Sequence, residues 1–136
     1  MNIVVDTNVF MSALIKEGAT RNLIINSNDA LLFPEFEFDE IEKHKTEILE
    51  KSKLSNKEFD DLFASLLKYV QIVKTKDIIG YKNSAFEIIG NIDKDDAIFV
   101  AAALAYNASI WSDDLDFQKQ NAVKILTTKD MIKNRR

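Results

Sequence analysis

The acidic side chains of this sequence are grouped in a way that could do chemistry. Six of its thirteen aspartates fall between Asp93 and Asp116, and Asp6 directly follows a short apolar run. Carboxylate oxygens are the ligands that Mg²⁺ and Mn²⁺ prefer, in open sites that keep several waters and contact phosphates. A metal held in this way activates water and stabilises the leaving oxygen of a phosphodiester. The residue types therefore indicate metal-assisted hydrolysis of a phosphate ester, which needs no histidine or serine nucleophile.

The composition excludes several other kinds of site. The chain has 136 residues, no cysteine and one histidine, His44, which rules out disulfide frameworks, zinc ribbons, thiol nucleophiles and multi-histidine metal sites. Its net charge of −4 argues against nucleic-acid binding by bulk electrostatics, but permits a nucleic-acid enzyme whose acids are gathered around a metal. No apolar run reaches the ~18 residues of a membrane span, and the N-terminus lacks a signal-peptide pattern. We expect a cytoplasmic protein with no membrane partner.

Short apolar runs that alternate with helical segments indicate one α/β domain over residues 1–136. The apolar runs predict strands at residues 2–6, 30–33, 69–73, 109–112 and 123–126. Apolar periodicity and capping residues predict helices at residues 7–16, 19–27, 36–51, 55–67, 78–89 and 97–106, and a short last helix capped by Thr127. Buried strands separated by helices favour a parallel sheet.

The ends of the predicted strands would bring several acids together. In open parallel sheets, ligands bind beyond the carboxyl ends of the strands, where the strand order reverses. Asp6 ends the first predicted strand and Asp114 follows the fourth, so adjacent strands would place both carboxylates at one edge. Two carboxylates ~4 Å apart repel by about 1 kcal/mol in water, and several-fold more near a protein surface. A larger cluster is therefore stable only if some members are protonated or a cation lies among them.

Each of these residues, taken alone, also has a structural interpretation. Asp6 and Asp93 can cap the helices that follow them, and a first-turn acid such as Asp95 complements the helix dipole. Asp113 and Asp116 can be turn or cap residues. Glu40 and His44 can lie on a solvent-facing helix surface, and Trp111 can belong to the core. The functional interpretation gains from the occurrence of all these acids at the same predicted edge.

Four segments, in order along the chain, resemble the motifs of PIN-domain nucleases. VVDTN at residues 4–8 is similar to the opening of that family, and EI at residues 40–41 to its second motif. DDAI at residues 95–98, followed by AAALA at 101–105, resembles the third motif. SDDLDF at residues 112–117 resembles the fourth, which is usually Thr-x-Asp-x-Asp-Phe. The resemblance covers essentially the whole chain.

This resemblance implies a set of site residues. The acidic cluster that would bind the metal and support catalysis is Asp6, Glu40, Asp96 and Asp114. Asp96 is preferred to Asp95 because it lies sixteen residues before Ser112, the separation usual in the family. Glu37 is an alternative to Glu40, since both lie in a segment crowded with acids. Asp116 would bind a second metal or a water, while Asn8 and Ser112 would orient the carboxylates by hydrogen bonds.

The resemblance also implies a fold, an activity and partners. The fold would be three-layer α/β/α with a mainly parallel five-stranded sheet, and the activity Mg²⁺- or Mn²⁺-dependent cleavage of single-stranded RNA. The size of the chain resembles VapC-type toxins, which pair with a small antitoxin and commonly form homodimers. The alternative is a non-catalytic PIN-like module that binds RNA or protein. Candidate RNA-contacting residues are a lysine stripe (Lys43, Lys45, Lys51, Lys53 and Lys57) and the tail from Lys133 to Arg136.

Overall fold

Five short parallel strands form the centre of the fold. The computed structural model describes residues 1–134, so Arg135 and Arg136 of the basic tail lie outside the described residues. The strands are β1 (Asn2–Val5), β2 (Ala30–Pro34), β3 (Gln71–Val73), β4 (Ser109–Trp111) and β5 (Ile125–Leu126). Their order is β3-β2-β1-β4-β5, and each neighbouring pair is parallel. The prediction of a mainly parallel five-stranded sheet is confirmed.

Nine α-helices lie within the described residues. They are α1 (Thr7–Ile15), α2 (Ala19–Ile25), α3 (Phe38–Lys43), α4 (Lys45–Ser52), α5 (Asn56–Leu67), α6 (Thr75–Ile78), α7 (Lys82–Ile89), α8 (Ala97–Tyr106) and α9 (Thr128–Lys133). Single 3-10 turns are found at Glu35–Glu37, Ile79–Tyr81, Lys94–Asp96 and Leu115–Lys119. Over residues 1–134, none of the helices combines the length and apolar character needed to cross a bilayer.

The strand order reverses at β1, which places the C-terminal ends of β1 and β4 at the switch point of the sheet. The chain runs outward from β1 through β2 to β3, then returns to form β4 on the other side of β1. Val5 is paired with Trp111 across these two strands. The residues that follow them, Asp6 and Ser112, therefore leave the sheet side by side.

Alternate strand residues face two separate apolar layers, as the two-residue period of a strand requires. Ile3 and Val5 pack against α1, α2, α4, α5 and α9 on one face of the sheet. Val4 packs against α6, α7 and α8 on the other face. Trp111 is fully buried in the first layer, as expected of a core residue. The two helical layers around one sheet give the three-layer α/β/α arrangement that the sequence predicted.

The predicted helix over residues 36–51 is wrong in one respect, because the structure divides it. A 3-10 turn precedes α3, and α3 ends where α4 begins, at His44. The backbone N–H of His44 lies 3.3 Å from the carbonyl of Glu40 and 3.1 Å from that of Ile41, so it is shared between two turns of helix. The two helices nevertheless bury apolar residues on one side, since Ile41 of α3 and Ile48 of α4 lie in the same apolar layer.

Candidate functional site

Asp6 connects the two central strands at the switch point of the sheet. Its backbone N–H donates to the carbonyl of Trp111 (3.0 Å), and its side chain caps α1 by accepting from the Asn8 N–H (3.4 Å). The Ser112 hydroxyl donates to Asp6 Oδ2 at 2.7 Å. Asp6 is only 4% exposed. The structural and functional interpretations of Asp6 are therefore compatible. Its Oδ1 caps α1, while Oδ2 accepts from Ser112 in the segment that follows β4.

Burial and charge act in the same direction on Asp6. Burial raises the pKa of its carboxyl, and the nearby charge of Asp114 raises it further. The hydrogen bonds from Ser112 and from the backbone of Asn8 lower the pKa and offset part of this effect. Asn8 thus orients Asp6 through its backbone N–H, whereas Ser112 does so through its side chain.

A chain of hydrogen bonds continues from Asp6 into the segment after β4. The backbone N–H of Asp114 donates to Ser112 Oγ (3.0 Å), and the backbone N–H of Asp116 donates to Asp114 Oδ1 (2.9 Å). Asp116 also forms an ion pair with Lys119, whose Nζ lies 2.8 Å from Asp116 Oδ1. Ser112 is therefore the bridge that holds the turn of Asp114 next to Asp6.

Asp96 is the most electrostatically perturbed of the acids. It lies at the start of α8, is 8% exposed, and its Oδ2 is buried with no hydrogen-bond partner in the part of the chain that the structure describes. Burial, followed by the charges of Asp93, Asp6, Asp114 and Asp116, raises the pKa of Asp96 to about 7. A buried carboxylate oxygen without a partner is costly, so the site suits a cation that would contact this atom.

Asp93 joins this cluster, although the sequence indicated only a capping role for it. It does cap the turn before α8, by accepting from the Asp95 N–H at 2.9 Å. One carboxylate oxygen each of Asp93, Asp96 and Asp116 nevertheless lie within 4.8 Å of one another. The available signal was the three-residue spacing of Asp93 and Asp96, which places both acids in one turn.

Glu37 and Glu40 approach the site from the segment after β2. Glu37 accepts a hydrogen bond from the Thr7 hydroxyl (3.0 Å), next to Asp6 in the chain. Burial raises the pKa of Glu37, with further contributions from the charges of Glu40, Asp6 and Asp95. Glu40 is more exposed and contacts His44 Nε2 (3.2 Å) and Lys43 Nζ (3.8 Å). Both predicted alternatives therefore lie near Asp6, in different contacts.

The donor set fits a hard divalent cation. Every side chain that surrounds Asp96 in this cluster offers carboxylate oxygens, which Mg²⁺ and Mn²⁺ accept and which softer metals favour less. Burial, and after it the charges of the neighbouring acids, make the ionised form of Asp96 unfavourable and raise its pKa. The unpartnered Asp96 Oδ2 supplies a buried ligand atom. A divalent cation would remove both penalties.

A cleft of about 650 Å³ opens beside these acids. Five acids line this cleft: Asp6, Glu37, Glu40, Asp95 and Asp96. Apolar and basic side chains also line it, and they include Phe36, Ile79, Phe86, Lys43, Lys82 and Lys94. This volume is in the range of ordinary ligand sites. The cleft therefore combines carboxylates with apolar and basic side chains.

Most of the predicted lysine stripe has other contacts. Lys43 lines the cleft, but Lys51 pairs with Glu47 and Lys57 with Asp61. Lys45 pairs with Asp60 and lies 5.2 Å from the centroid of the Phe59 ring. Lys53 ends α4 in a left-handed conformation. The stripe is thus mainly a set of surface ion pairs, and the other lysines that line the cleft besides Lys43, namely Lys82 and Lys94, come from other segments.

Comparison with known proteins identifies the family. A family model described as PIN domain matches residues 4–135. Among solved structures, the chain is similar to that of VapBC2 from Rickettsia felis bound to a DNA fragment from their promoter, with a TM-score of 0.66 and 18% identity over 93% of this chain and 98% of that one. A search of curated proteins gave no match. PIN domains are generally nucleases that use divalent metals. The chain belongs to the PIN-domain family.

Proposed function

We propose that this chain is a divalent-metal-dependent endoribonuclease that hydrolyses phosphodiester bonds of single-stranded RNA. The observation that carries the proposal is the buried, unpartnered Oδ2 of Asp96 among other carboxylates, beside an open cleft. A merely structural aspartate would be expected to have its buried oxygens satisfied. A cluster that is costly without a cation is, by contrast, typical of a metal-binding active site.

The residues that would hold Mg²⁺ or Mn²⁺ are Asp6, Glu40, Asp96 and Asp114. Asp93 and Asp116 would complete the set, because a carboxylate oxygen of each lies within 4.8 Å of one from Asp96. The chemistry that a divalent cation supplies when bound here is activation of a water for attack on phosphorus and stabilisation of the departing oxygen. The Ser112 hydroxyl donates to the Asp6 carboxylate and so holds it towards β4. The same hydroxyl oxygen accepts from the backbone N–H of Asp114, which positions the turn that carries Asp114. The protein thereby fixes the carboxylates before the substrate arrives.

The test is cleavage of a mixed-sequence single-stranded RNA by the purified chain, with Mg²⁺ or Mn²⁺ and with EDTA. Asp96→Asn should abolish metal-dependent cleavage, since it removes a charge from the centre of the cluster. Asp61→Asn is the matched control, because Asp61 is an exposed acid of α5 that pairs with Lys57. Cleavage that persists in Asp96→Asn would contradict the site. Absence of both cleavage and metal binding in the wild type would favour the non-catalytic RNA- or protein-binding module.

A protein partner is the second part of the proposal. The structural likeness to VapBC2, together with the PIN-domain match, supports a cytoplasmic toxin that pairs with a small antitoxin and forms a homodimer. Co-expression of this chain with the product of a short neighbouring gene should give a stable complex and suppress RNA cleavage. Light scattering of the chain alone tests the dimer. A neighbouring product that neither binds nor inhibits would contradict the pairing.

A further inference from the structure

Three apolar side chains that line the cleft are exposed to solvent, although residues of these types are ordinarily buried. Phe36 is 61% exposed, Phe86 47% and Ile79 56%, and all three line the same cleft. Single exposed apolar residues are common, whereas several grouped in one cavity mark a binding surface. We call this group, Phe36, Ile79 and Phe86, the aromatic wall. Its residues come from the turn after β2, the turn before α7, and α7 itself.

The ring of Phe86 lies against the backbone of Gly90 although it is half exposed. A Cβ added at Gly90 would be 2.5 Å from Phe86 Cδ1 and 2.7 Å from Cε1. Real Cβ atoms do not approach so closely, so glycine at this position leaves the space that the ring occupies. The exposed side of the ring offers a flat apolar face, and a phenylalanine has few rotatable bonds to order on binding.

A basic side chain accompanies the aromatic wall. Lys82 and Phe86 are four residues apart on α7, so they lie on the same face of that helix. Both also line a second, more open depression of about 460 Å³, together with Asn83, Glu87 and Asn91. Within residues 1–134, Lys82 is not in an ion pair with a carboxylate. Lys82 and Phe86 therefore form a ridge over which a bound chain could leave the cleft.

Phe36, the second aromatic residue of the aromatic wall, lies close to the acids. Phe36 directly precedes Glu37 in the 3-10 turn Glu35–Glu37, and Glu37 accepts a hydrogen bond from Thr7, next to Asp6. A ligand at Phe36 would therefore lie next to the proposed metal site. The same cleft thus holds carboxylates, the ring of Phe36 next to one of them in the chain, and the ring of Phe86 one helical turn from Lys82.

We propose that Phe36 and Phe86 bind unpaired bases of a single-stranded nucleic acid by stacking, while Lys82 contacts its sugar–phosphate backbone. This inference rests on the proposed nuclease function and assigns the residues that would position the substrate. Stacking platforms combined with basic side chains are the usual means of binding a single strand. Paired bases are already stacked within a duplex and would not present their faces to the two rings. A phosphodiester chain also matches the proposed metal site better than an apolar peptide would.

Binding should be measured by fluorescence anisotropy with a labelled ten-nucleotide single-stranded RNA of mixed sequence, in Mg²⁺. The full-length chain carries Asp96→Asn in this experiment, so that the RNA is not consumed. Phe36→Ala and Phe86→Ala should each weaken binding by roughly tenfold. Phe86→Trp should restore wild-type affinity, whereas Phe86→Leu, which is apolar but lacks the ring, should bind as weakly as the alanine variant. Tyr69→Ala is the matched control, since Tyr69 is 45% exposed, precedes β3 at the N-terminal end of that strand, and does not line the cleft.

An abasic oligomer of the same length separates base stacking from other contacts. It keeps the phosphates but offers no base, so the aromatic wall should bind it weakly, and Phe36→Ala and Phe86→Ala should not weaken that binding further. Lys82→Gln should weaken binding of both oligomers to a similar degree. An effect of the phenylalanine variants that is equal for both oligomers would overturn the stacking assignment.

The outcomes for this inference and for the proposed function are distinguishable. In the chain with Asp96 intact, the phenylalanine variants should raise KM for RNA cleavage and leave kcat nearly unchanged. Cleavage by the wild type with KM unaffected in the variants would overturn the stacking assignment and leave the nuclease standing. Ring-dependent RNA binding without any cleavage would support the stacking assignment and contradict the nuclease. If Phe36→Ala and Phe86→Ala bound RNA as the wild type does but no longer bound a partner protein, the stacking assignment would be overturned. The aromatic wall would then be a protein-docking surface.

Discussion

Ser112 donates a 2.7 Å hydrogen bond from its Oγ to Oδ2 of Asp6, a residue 106 positions earlier in the chain. The same oxygen accepts from the backbone N–H of Asp114. One buried hydroxyl thus fixes the positions of two carboxylates that follow different strands. Its removal should affect both the stability of the fold and the geometry of the proposed metal site.

Ser112→Ala should destabilise the protein by about 1.5–3 kcal/mol, because it deprives a buried acid of a hydrogen bond. It should also weaken Mn²⁺ binding, since the Asp6 carboxylate would lose its orientation. Urea denaturation and calorimetric titration with Mn²⁺ measure the two effects. Ser112→Thr, which keeps the hydroxyl, should retain the metal affinity. Equal Mn²⁺ affinities of the alanine and threonine variants would show that this bond does not orient the site.

The ionisation of Asp96 should make the metal-free protein less stable as the pH rises. The pKa of Asp96 is raised from 3.8 to about 7 in the folded state, so between these values the folded state keeps a proton that the unfolded state releases. The free energy of unfolding therefore falls as pH increases through this window. Asp96→Asn should exceed wild type in stability by little near pH ~4 and by roughly 1–2 kcal/mol near pH ~8, because solvent screens part of the unfavourable interaction of the ionised form.

Urea denaturation in EDTA, at a series of pH values, measures this difference. The raised pKa values of Asp6 and Glu37 lower the stability of both proteins as the pH rises, so the difference between the two curves reports the ionisation of Asp96 together with its coupling to Asp6. Asp61→Asn should follow the wild-type curve. A stability difference that does not change with pH would contradict the ionisation of Asp96 as its source.

Mn²⁺ should raise the melting temperature of the wild-type protein through the same acids. At a concentration of about 100 times Kd, a ligand that binds only the folded state adds about 2.7 kcal/mol, which corresponds to roughly 10 °C for a chain of this size. Asp6→Asn should show a much smaller shift, and Asp61→Asn a normal one. Differential scanning fluorimetry gives the comparison. Equal shifts in all three proteins would place the metal elsewhere.

The sheet and the position of Asp6 could be predicted because they depend on local patterns. The apolar run before Asp6 gives β1, the all-round apolar composition of α8 gives a buried helix, and the rule for parallel sheets places the acids that follow β1 and β4 at one edge. The cap of α5, in which Ser55 accepts from the Glu58 N–H (3.1 Å), follows from adjacent residues. These features need little information about tertiary contacts.

The contacts within the site could not be predicted, because they depend on how distant segments pack. No glycine or proline marks the end of α3 at His44, the residue whose Nε2 lies 3.2 Å from Glu40 Oε1. Asp93 satisfied the criteria for an N-cap, which concealed its proximity to Asp96 and Asp116. Residue type and spacing thus identified the candidate residues. Which of them contact one another depends on the packing of distant segments.

Thr128 should be important for stability because it attaches α9 to the segment that carries Asp114. Its Oγ1 accepts from Trp111 Nε1 (3.0 Å) and donates to Asp113 Oδ2 (2.6 Å), while its backbone N–H donates to Asp113 Oδ1 (2.7 Å). Thr128→Val keeps the shape but leaves the Trp111 N–H unpaired, at a cost of about 1–3 kcal/mol. Thr128→Ser should lose less in urea denaturation. Equal losses for valine and serine would indicate that the methyl group, not the hydroxyl, matters.

Glu37 and Glu40 should differ in their effects on metal binding. Glu37 is engaged by the Thr7 hydroxyl, whereas Glu40 is half exposed and its carboxylate pairs with the basic side chains of Lys43 and His44, contacts that a cation can replace. Glu40→Gln should therefore weaken Mn²⁺ binding more than Glu37→Gln in calorimetric titration. Glu42→Gln, an exposed acid of the same helix, should have no effect. A larger loss of Mn²⁺ affinity for Glu37→Gln would identify Glu37 as the metal ligand. In that case the metal compensates the charge of the partly buried Glu37 carboxylate.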